Sequence, residues 1–192
     1  MENKKGKLFV FAAPSGSGKT TIVKSVLNKF SGFVFSISAT TRKKRSSETD
    51  GVDYYFLTEE EFKRKIDNDE FVEWERFYDY YYGTLKTFVD RNIEKGFSVL
   101  FDIDVKGALS IKHKYPDAVL FFVMPPSFDE LKNRLIKRNT ESSEDLQKRI
   151  DRAEMEMSFA QKKEFDYKIV NDDLEKTKLL VEEIIKKEIN KE

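Results

Sequence analysis

Lys19 and Thr20 stand directly behind two glycines in the run Ala13-Pro14-Ser15-Gly16-Ser17-Gly18-Lys19-Thr20, and these residue types at this spacing suit the gripping of a phosphate chain. Gly16 and Gly18 let the backbone bend so that successive N–H groups point at phosphate oxygens. The lysine ammonium then reaches the β- and γ-phosphates, and the threonine hydroxyl is left to face Mg2+. Where the G-x-x-x-x-G-K-[ST] pattern opens on glycine this chain has Ala13, a small residue. An ordinary glycine-rich turn is the alternative, and the flanks argue against it. Leu8-Phe9-Val10-Phe11-Ala12 reads as a buried parallel strand, and Ile22, Val23, Val26, Leu27 and Phe30 recur at helical spacing. The loop therefore sits between a strand and a helix N-terminus, whose partial positive charge favours anions.

In a parallel α/β sheet, ligands bind beyond the carboxyl ends of the strands, so charged residues just after apolar runs are the ones to inspect. Asp102 ends the apolar run Ser98-Val99-Leu100-Phe101, where an acid can organise Mg2+ and its waters. Asp104 follows on the same face of an extended strand, and either joins that role or caps the next helix. Arg42 and Arg45 lie in a polar loop, and guanidinium forks match phosphate oxygens, although a solvated basic run is the plainer alternative. Tyr54 and the aromatic run holding Tyr78, Tyr81 and Tyr82 favour the phosphate role, because phenol OH groups can donate to it. Arg134 and Arg138 share one helix face, and Arg149 and Arg152 follow across the polar stretch 139–144. This pattern predicts a mobile flap whose arginines stabilise a transferring phosphoryl group while excluding water. The alternative for each arginine is a solvated helix face. His113 is the only histidine and there is no cysteine, so a Ser-His-Asp triad, a Cys-ligated metal or a disulfide framework has no basis.

Strand-like and helix-like stretches alternate throughout, which predicts an α/β fold. After the first βα unit, Phe33, Phe35 and Ile37 alternate with Val34, Ser36 and Ser38 as a half-buried strand, and residues 53–57 form another. Thr58 and Glu61 form a capping box for a helix with Phe62 and Ile66 inward. In the extended run 71–77, Glu73 and Glu75 point to one face and Val72 and Trp74 to the other, with Trp74 and the phenylalanines expected in the core. Leu85, Phe88, Val89 and Ile93 mark a helix stopped at Gly96. Residues 118–124 form a core strand, and Ser127 and Glu130 cap a helix with Leu131 and Leu135 inward. Leu146, Ile150, Ala153 and Met157 define a long amphipathic helix, residues 165–170 a last strand, and Leu174, Leu180, Val181, Ile184 and Ile185 one side of a C-terminal helix.

The chain has 192 residues, enough for one sizeable core, and 35 basic and 35 acidic residues cancel. No overall positive field argues for nucleic acid, so anion binding must be local. No apolar stretch approaches the roughly 18 residues of a membrane helix, and no apolar leader precedes the first strand. A cytoplasmic protein with no membrane partner, monomeric or homodimeric, is expected.

Beyond the phosphate loop, the chain resembles guanylate kinase in Ser-Ala-Thr-Thr-Arg-Lys-Lys-Arg (38–45), Gly-Val-Asp-Tyr (51–54), Phe-Val-Glu-Trp (71–74) and Tyr-Tyr-Gly-Thr (81–84). Asp-Ile-Asp-Val-Lys-Gly (102–107), Pro-Pro-Ser (125–127) and Val-Asn-Asp-Asp (170–173) continue the resemblance in order. It implies a P-loop kinase with a central parallel sheet flanked by helices, a small GMP-binding subdomain and a helical lid. The implied division of the single domain 1–192 is a core of 1–35, 97–130 and 160–192, a GMP-binding subdomain of 36–90 and a lid of 131–157. The resemblance further implies that Ser38, Arg42, Arg45, Tyr54 and Tyr82 hold the GMP phosphate, and that Glu73, Thr84 and Asp102 read the guanine edge. It puts Arg134, Arg138 and Arg149 on ATP phosphates, as catalytic groups with Lys19 and Arg42, and Asn171 near the adenine. Thr20 and Asp102 serve Mg2+. Lys44 and Asn139 depart from the family's usual Pro and Gly. The implied reaction is transfer from MgATP to GMP, and to dGMP, without a protein nucleophile. Two rivals remain: a scaffold module that has lost catalysis, and a kinase of the same fold acting on another acceptor. The intact Lys19 and Thr20 oppose the first, and Glu73 with Thr84 and Asp102 the second.

Overall fold

The computed structural model describes residues 5–77, 79–138, 143–162 and 165–191. In chain order it holds β1 (Leu8–Ala12), α1 (Lys19–Lys29), β2 (Phe33–Phe35), β3 (Ala39–Thr40), β4 (Tyr55–Phe56), α2 (Glu59–Asp67), β5 (Phe71–Phe77) and β6 (Tyr80–Leu85). It continues with α3 (Lys86–Glu94), β7 (Ser98–Ile103), α4 (Val105–Lys114), β8 (Val119–Met124), α5 (Phe128–Arg138), α6 (Ser143–Gln161), β9 (Tyr167–Val170) and α7 (Leu174–Asn190).

Five strands form a parallel sheet in the order β2-β7-β1-β8-β9. Every residue of β1 is buried, as a strand covered on both faces requires. Alternation divides its side chains between two layers. Leu8, Val10 and Ala12 meet Val89 of α3 and Val105, Ala108 and Ile111 of α4, whereas Phe9 and Phe11 meet Ile22, Val23 and Val26 of α1 and Val181 and Ile185 of α7. Full burial of such a side chain contributes about 1.5–3 kcal/mol, so these layers fix the strands that carry the site. The register sets Ala12, which precedes the phosphate loop, beside Ile103 at the end of β7.

A second sheet has the order β4-β3-β6-β5. Its apolar side is closed by α2, whose start is fixed by the Thr58/Glu61 capping box. Phe62 of α2 stacks on Phe71 at 4.3 Å between ring centroids. β5 bulges after Phe71, which pairs with Leu85 while Glu73 pairs with Thr84, and the extra residue, Val72, is buried in the main core. Gly83 permits the close approach of β6 to β5, since a Cβ there would lie 2.8 Å from the Glu73 carbonyl oxygen. α5 and α6 pack through Leu131 and Leu135 against Ile150 and Ala153.

Several elements differ from the sequence expectation. β2 stops at Phe35, which is 43% exposed, and Ser36 is buried instead, because this edge strand leaves β7 there to enter the second sheet. Within 53–57 only Tyr55 and Phe56 pair as a strand. Trp74 is 46% exposed beside Tyr81, since the nine-residue α2 covers only part of the small sheet. Leu180 is exposed because the buried line of α7 runs through Thr177, Val181, Ile185 and Glu188. Tyr78, Asn139 and the first part of the polar stretch 139–144 lie outside the described residues.

Phe62 is wholly buried, so Phe62→Ala is expected to lower the unfolding free energy by about 3–5 kcal/mol. Urea unfolding checks this; a loss below about 1 kcal/mol contradicts the packing described.

Candidate active site

The loop between β1 and α1 adopts its shape through Gly16 and Gly18, at φ 91° and 92°, a left-handed conformation that other residues adopt at a cost. No side chain caps the first turn of α1, so its leading N–H groups belong to the loop. Asn171, just past β9, braces the loop from behind. Its Nδ2 donates to the Ser17 carbonyl at 2.7 Å, and a Cβ on Gly18 would come within 2.4 Å of that Nδ2. Ser17 Oγ and Asn171 Oδ1 are buried with no partner among the described residues. The Asn171 carbonyl oxygen accepts from both terminal nitrogens of Arg134 at 3.3 Å. Expected beside an adenine, Asn171 thus holds the phosphate loop and an arginine together.

Lys19 reaches from the loop to β7. Its Nζ lies 2.7 Å from Asp102 Oδ1 and donates to the Ile103 carbonyl at 2.7 Å. The other carboxylate oxygen of Asp102 accepts from Thr20 Oγ1 at 3.1 Å. Asp102, expected at both the metal and the guanine edge, therefore has both oxygens turned to the phosphate loop. Asp104, two residues on, caps α4, accepting from Gly107 N at 2.7 Å, and its charge bears on Glu73. Of the two alternatives for Asp104, the helix cap is the one observed.

A cavity of about 340 Å³ is bounded by the phosphate loop on one side and Lys148, Arg149, Arg152 and Glu156 of α6 on the other. A second, of about 370 Å³, is lined by Ser38, Tyr54, Glu73, Glu75, Tyr82, Gly83, Asp102, Ile103, Asp104 and Arg152. Asp104 and Arg152 line both, so the two cavities adjoin beside the Lys19–Asp102 contact. Arg134 pairs with Glu130 at 2.9 Å, and Arg138 is the last residue of α5.

At the inner end of the second cavity, Thr84 Oγ1 donates to Glu73 Oε1 at 2.7 Å. Burial pushes the Glu73 carboxyl up to about 7; Thr84 opposes the shift and the Asp104 charge adds to it. Burial likewise raises Glu75, with Asp104 adding and Arg152 opposing. At the outer end, Arg42 makes a two-pronged pair with Glu48, Nη1 donating at 3.0 Å and Nη2 at 2.7 Å. Its guanidinium also lies 5.3 Å from the centre of the Tyr54 ring. Glu48 accepts from the Arg45 backbone N–H as well, and these donors hold its carboxyl at about 2. Burial keeps the Tyr54 phenol protonated, hence a donor. The Arg45 side chain is exposed in the same loop.

Glu48, Lys148 and the place of Asp104 escaped the sequence reasoning. Glu48 had a signal, as the first acid after Arg42 and Arg45 in the loop between β3 and β4. Glu75 was assigned the face of Glu73 by alternation but no function.

A family model described as "Guanylate kinase" matches residues 5–188. The guanylate kinase of Bacteroides thetaiotaomicron is 51% identical over 189 residues, covering 97% of this chain and 92% of that protein. That of Thermotoga maritima is 47% identical over 184 residues, covering 96% and 88%. The crystal structure of guanylate kinase from Anaplasma phagocytophilum superposes with a TM-score of 0.73 at 31% identity, covering 98% of this chain and 88% of that one. With the phosphate loop, its lysine and the adjoining acidic cavity in place, the chain belongs to the guanylate kinase family.

Proposed function

We propose that this chain transfers the γ-phosphoryl group of ATP to GMP, giving ADP and GDP, and takes dGMP as a second acceptor. The observation that carries the reading is the junction of two cavities at the Lys19–Asp102 contact, 2.7 Å across, with phosphate-binding groups on one side and a buried carboxylate on the other.

The loop N–H groups and Lys19 hold the triphosphate, and Arg134 and Arg138, on α5, and Arg149, on α6, are assigned to its phosphates; the Arg138 side chain lies outside the described residues. Ser38, Arg42, Arg45, Tyr54 and Tyr82 hold the acceptor phosphate, with Glu48 and the Tyr54 ring holding the Arg42 guanidinium. An oxygen of that phosphate attacks the γ-phosphorus as the bond to ADP breaks in line, so the protein's task is positioning and charge neutralisation. The oxygen donors of Thr20 and Asp102 suit Mg2+, whose remaining ligands come from phosphate and water. A Mg2+ ion held there would supply neutralisation of the charge on the transferring group. The second sheet, within 36–90, serves as the acceptor-binding part, and the segment 131–157, most of α5 and α6, serves as the part that closes over the phosphates. Among the described residues no helix is long and apolar enough to cross a membrane.

Guanine presents N1–H and N2–H2 donors that the Glu73 carboxylate accepts together, with Thr84 and Asp104 beside it. Adenine presents an acceptor at N1, leaving the buried carboxylate unpaired.

Lys19→Ala is expected to remove nearly all turnover while GMP binding, measured by calorimetry, stays within a few-fold; near-normal turnover contradicts the phosphate-loop assignment. Glu73→Gln is expected to lower kcat/KM for GMP by about 100-fold with ATP affinity little changed, and equal loss for both substrates contradicts the base-reading role. Because Glu73 titrates near 7 in the substrate-free chain and must ionise to accept from guanine, GMP binding is expected to tighten as pH rises from 6 to 8. Glu73→Gln removes that component and leaves the titrations of Glu75 and of the GMP phosphate, the latter near 6; an unchanged pH profile in the variant contradicts this reading. The stability of the substrate-free chain moves the other way. A carboxyl whose folded pKa lies above its unfolded value of 4.5 stabilises the fold only while protonated, and this contribution is lost as pH rises from 4.5 through about 7.

A further inference from the structure

We propose that Glu75 accepts hydrogen bonds from the ribose hydroxyls of the acceptor nucleotide and so makes this chain prefer ribo- over deoxyribonucleotides, an inference that rests on the second cavity being the GMP site. The register of β5 and β6 sets a direction along that cavity: Glu73 pairs with Thr84 at the base end, and Glu75 pairs with Tyr82 at the phosphate end. Both glutamates line the cavity, one strand repeat apart, or about 7 Å. A nucleotide lying along the two strands carries its sugar between base and phosphate, and so past Glu75.

The chemistry of Glu75 narrows what it can meet there. While ionised, the carboxylate only accepts and repels the acceptor phosphate, so in that form its partner in the ligand is a neutral donor. The vicinal 2′- and 3′-hydroxyls supply two such donors on adjacent carbons, the arrangement by which carboxylates grip ribose in dinucleotide sites. Arg152 of α6, which lines the same cavity, pairs with the carboxylate: its Nη2 lies 3.9 Å from Glu75 Oε1 and 3.4 Å from Asp104 Oδ2, and its Nε donates to Glu156 at 2.8 Å. This arrangement joins α6 to β5 and holds Glu75 at the wall instead of leaving it free to turn into solvent. A 2′-deoxy nucleotide leaves one acceptor of that half-buried carboxylate unmet.

The test is kcat/KM for GMP and for dGMP in the native chain, Glu75→Gln and Glu75→Ala, each pair measured on one preparation so that any unfolded fraction cancels in the ratio. The native chain is expected to prefer GMP by about tenfold or more, expressed in KM, and Glu75→Ala to bring the ratio to about two or less, with Glu75→Gln between. A native ratio near one, or a ratio unchanged in both variants, overturns the inference. Glu73→Gln run in parallel separates the two levels. If it impairs GMP use while the Glu75 ratio stays constant, only the ribose contact is wrong; if it leaves GMP use unaffected, the placement of the nucleotide in this cavity fails as well.

Discussion

The ammonium of Lys19 lies 2.7 Å from the Asp102 carboxylate and donates to the Ile103 carbonyl, so one side chain joins the phosphate loop to the end of a neighbouring strand. That contact depends on backbone register. β1 and β7 pair in parallel with Ala12 beside Ile103, and both strands are packed between helical layers of phenylalanine, valine, leucine and isoleucine. The strands hold the loop, and the loop, flexible by composition, is held again by Asn171 behind it. Preorganisation of this kind is what phosphoryl transfer needs, because there is little covalent chemistry for a protein to supply.

The acceptor cavity illustrates the opposite economy. Burying Glu73 beneath Thr84 and near Asp104 costs the substrate-free fold something, visible in a carboxyl pushed up to about 7. The same burial makes a mismatched base expensive, since no water replaces the missing donors. At the outer end the demand differs. Glu48 holds Arg42 in a two-pronged pair on Tyr54, a charge-balanced arrangement that keeps the loop closed upon itself. On the proposed function the two carboxylates serve unlike purposes, Glu73 reading a base and Glu48 setting an arginine.

Much of the architecture was legible because its signals are local. The apolar run of β1, the Gly16/Gly18 turn, the Thr58/Glu61 capping box and the Gly96 stop each depend on a few adjacent residues. What escaped depends on partners distant in sequence. Val72 joins the main core through a bulge whose existence is set by the β5–β6 register, and Trp74 is exposed because a short helix covers a small sheet. Asp102 and Asp104 are two residues apart in one motif, and their assignments differ only because Lys19 approaches one and the first turn of α4 the other. Alternation put Glu75 on the face of Glu73, yet its position opposite Tyr82 and within reach of Arg152 required the folded chain.

The central claim is that two nucleotide sites meet at the Lys19–Asp102 contact. Titration with a single molecule in which adenosine and guanosine are joined by an oligophosphate bridge tests it most directly. One molecule is predicted to bind per chain, more tightly than ATP or GMP alone, and to be displaced by either. Binding that competes with ATP but not with GMP, or with GMP but not with ATP, would contradict it.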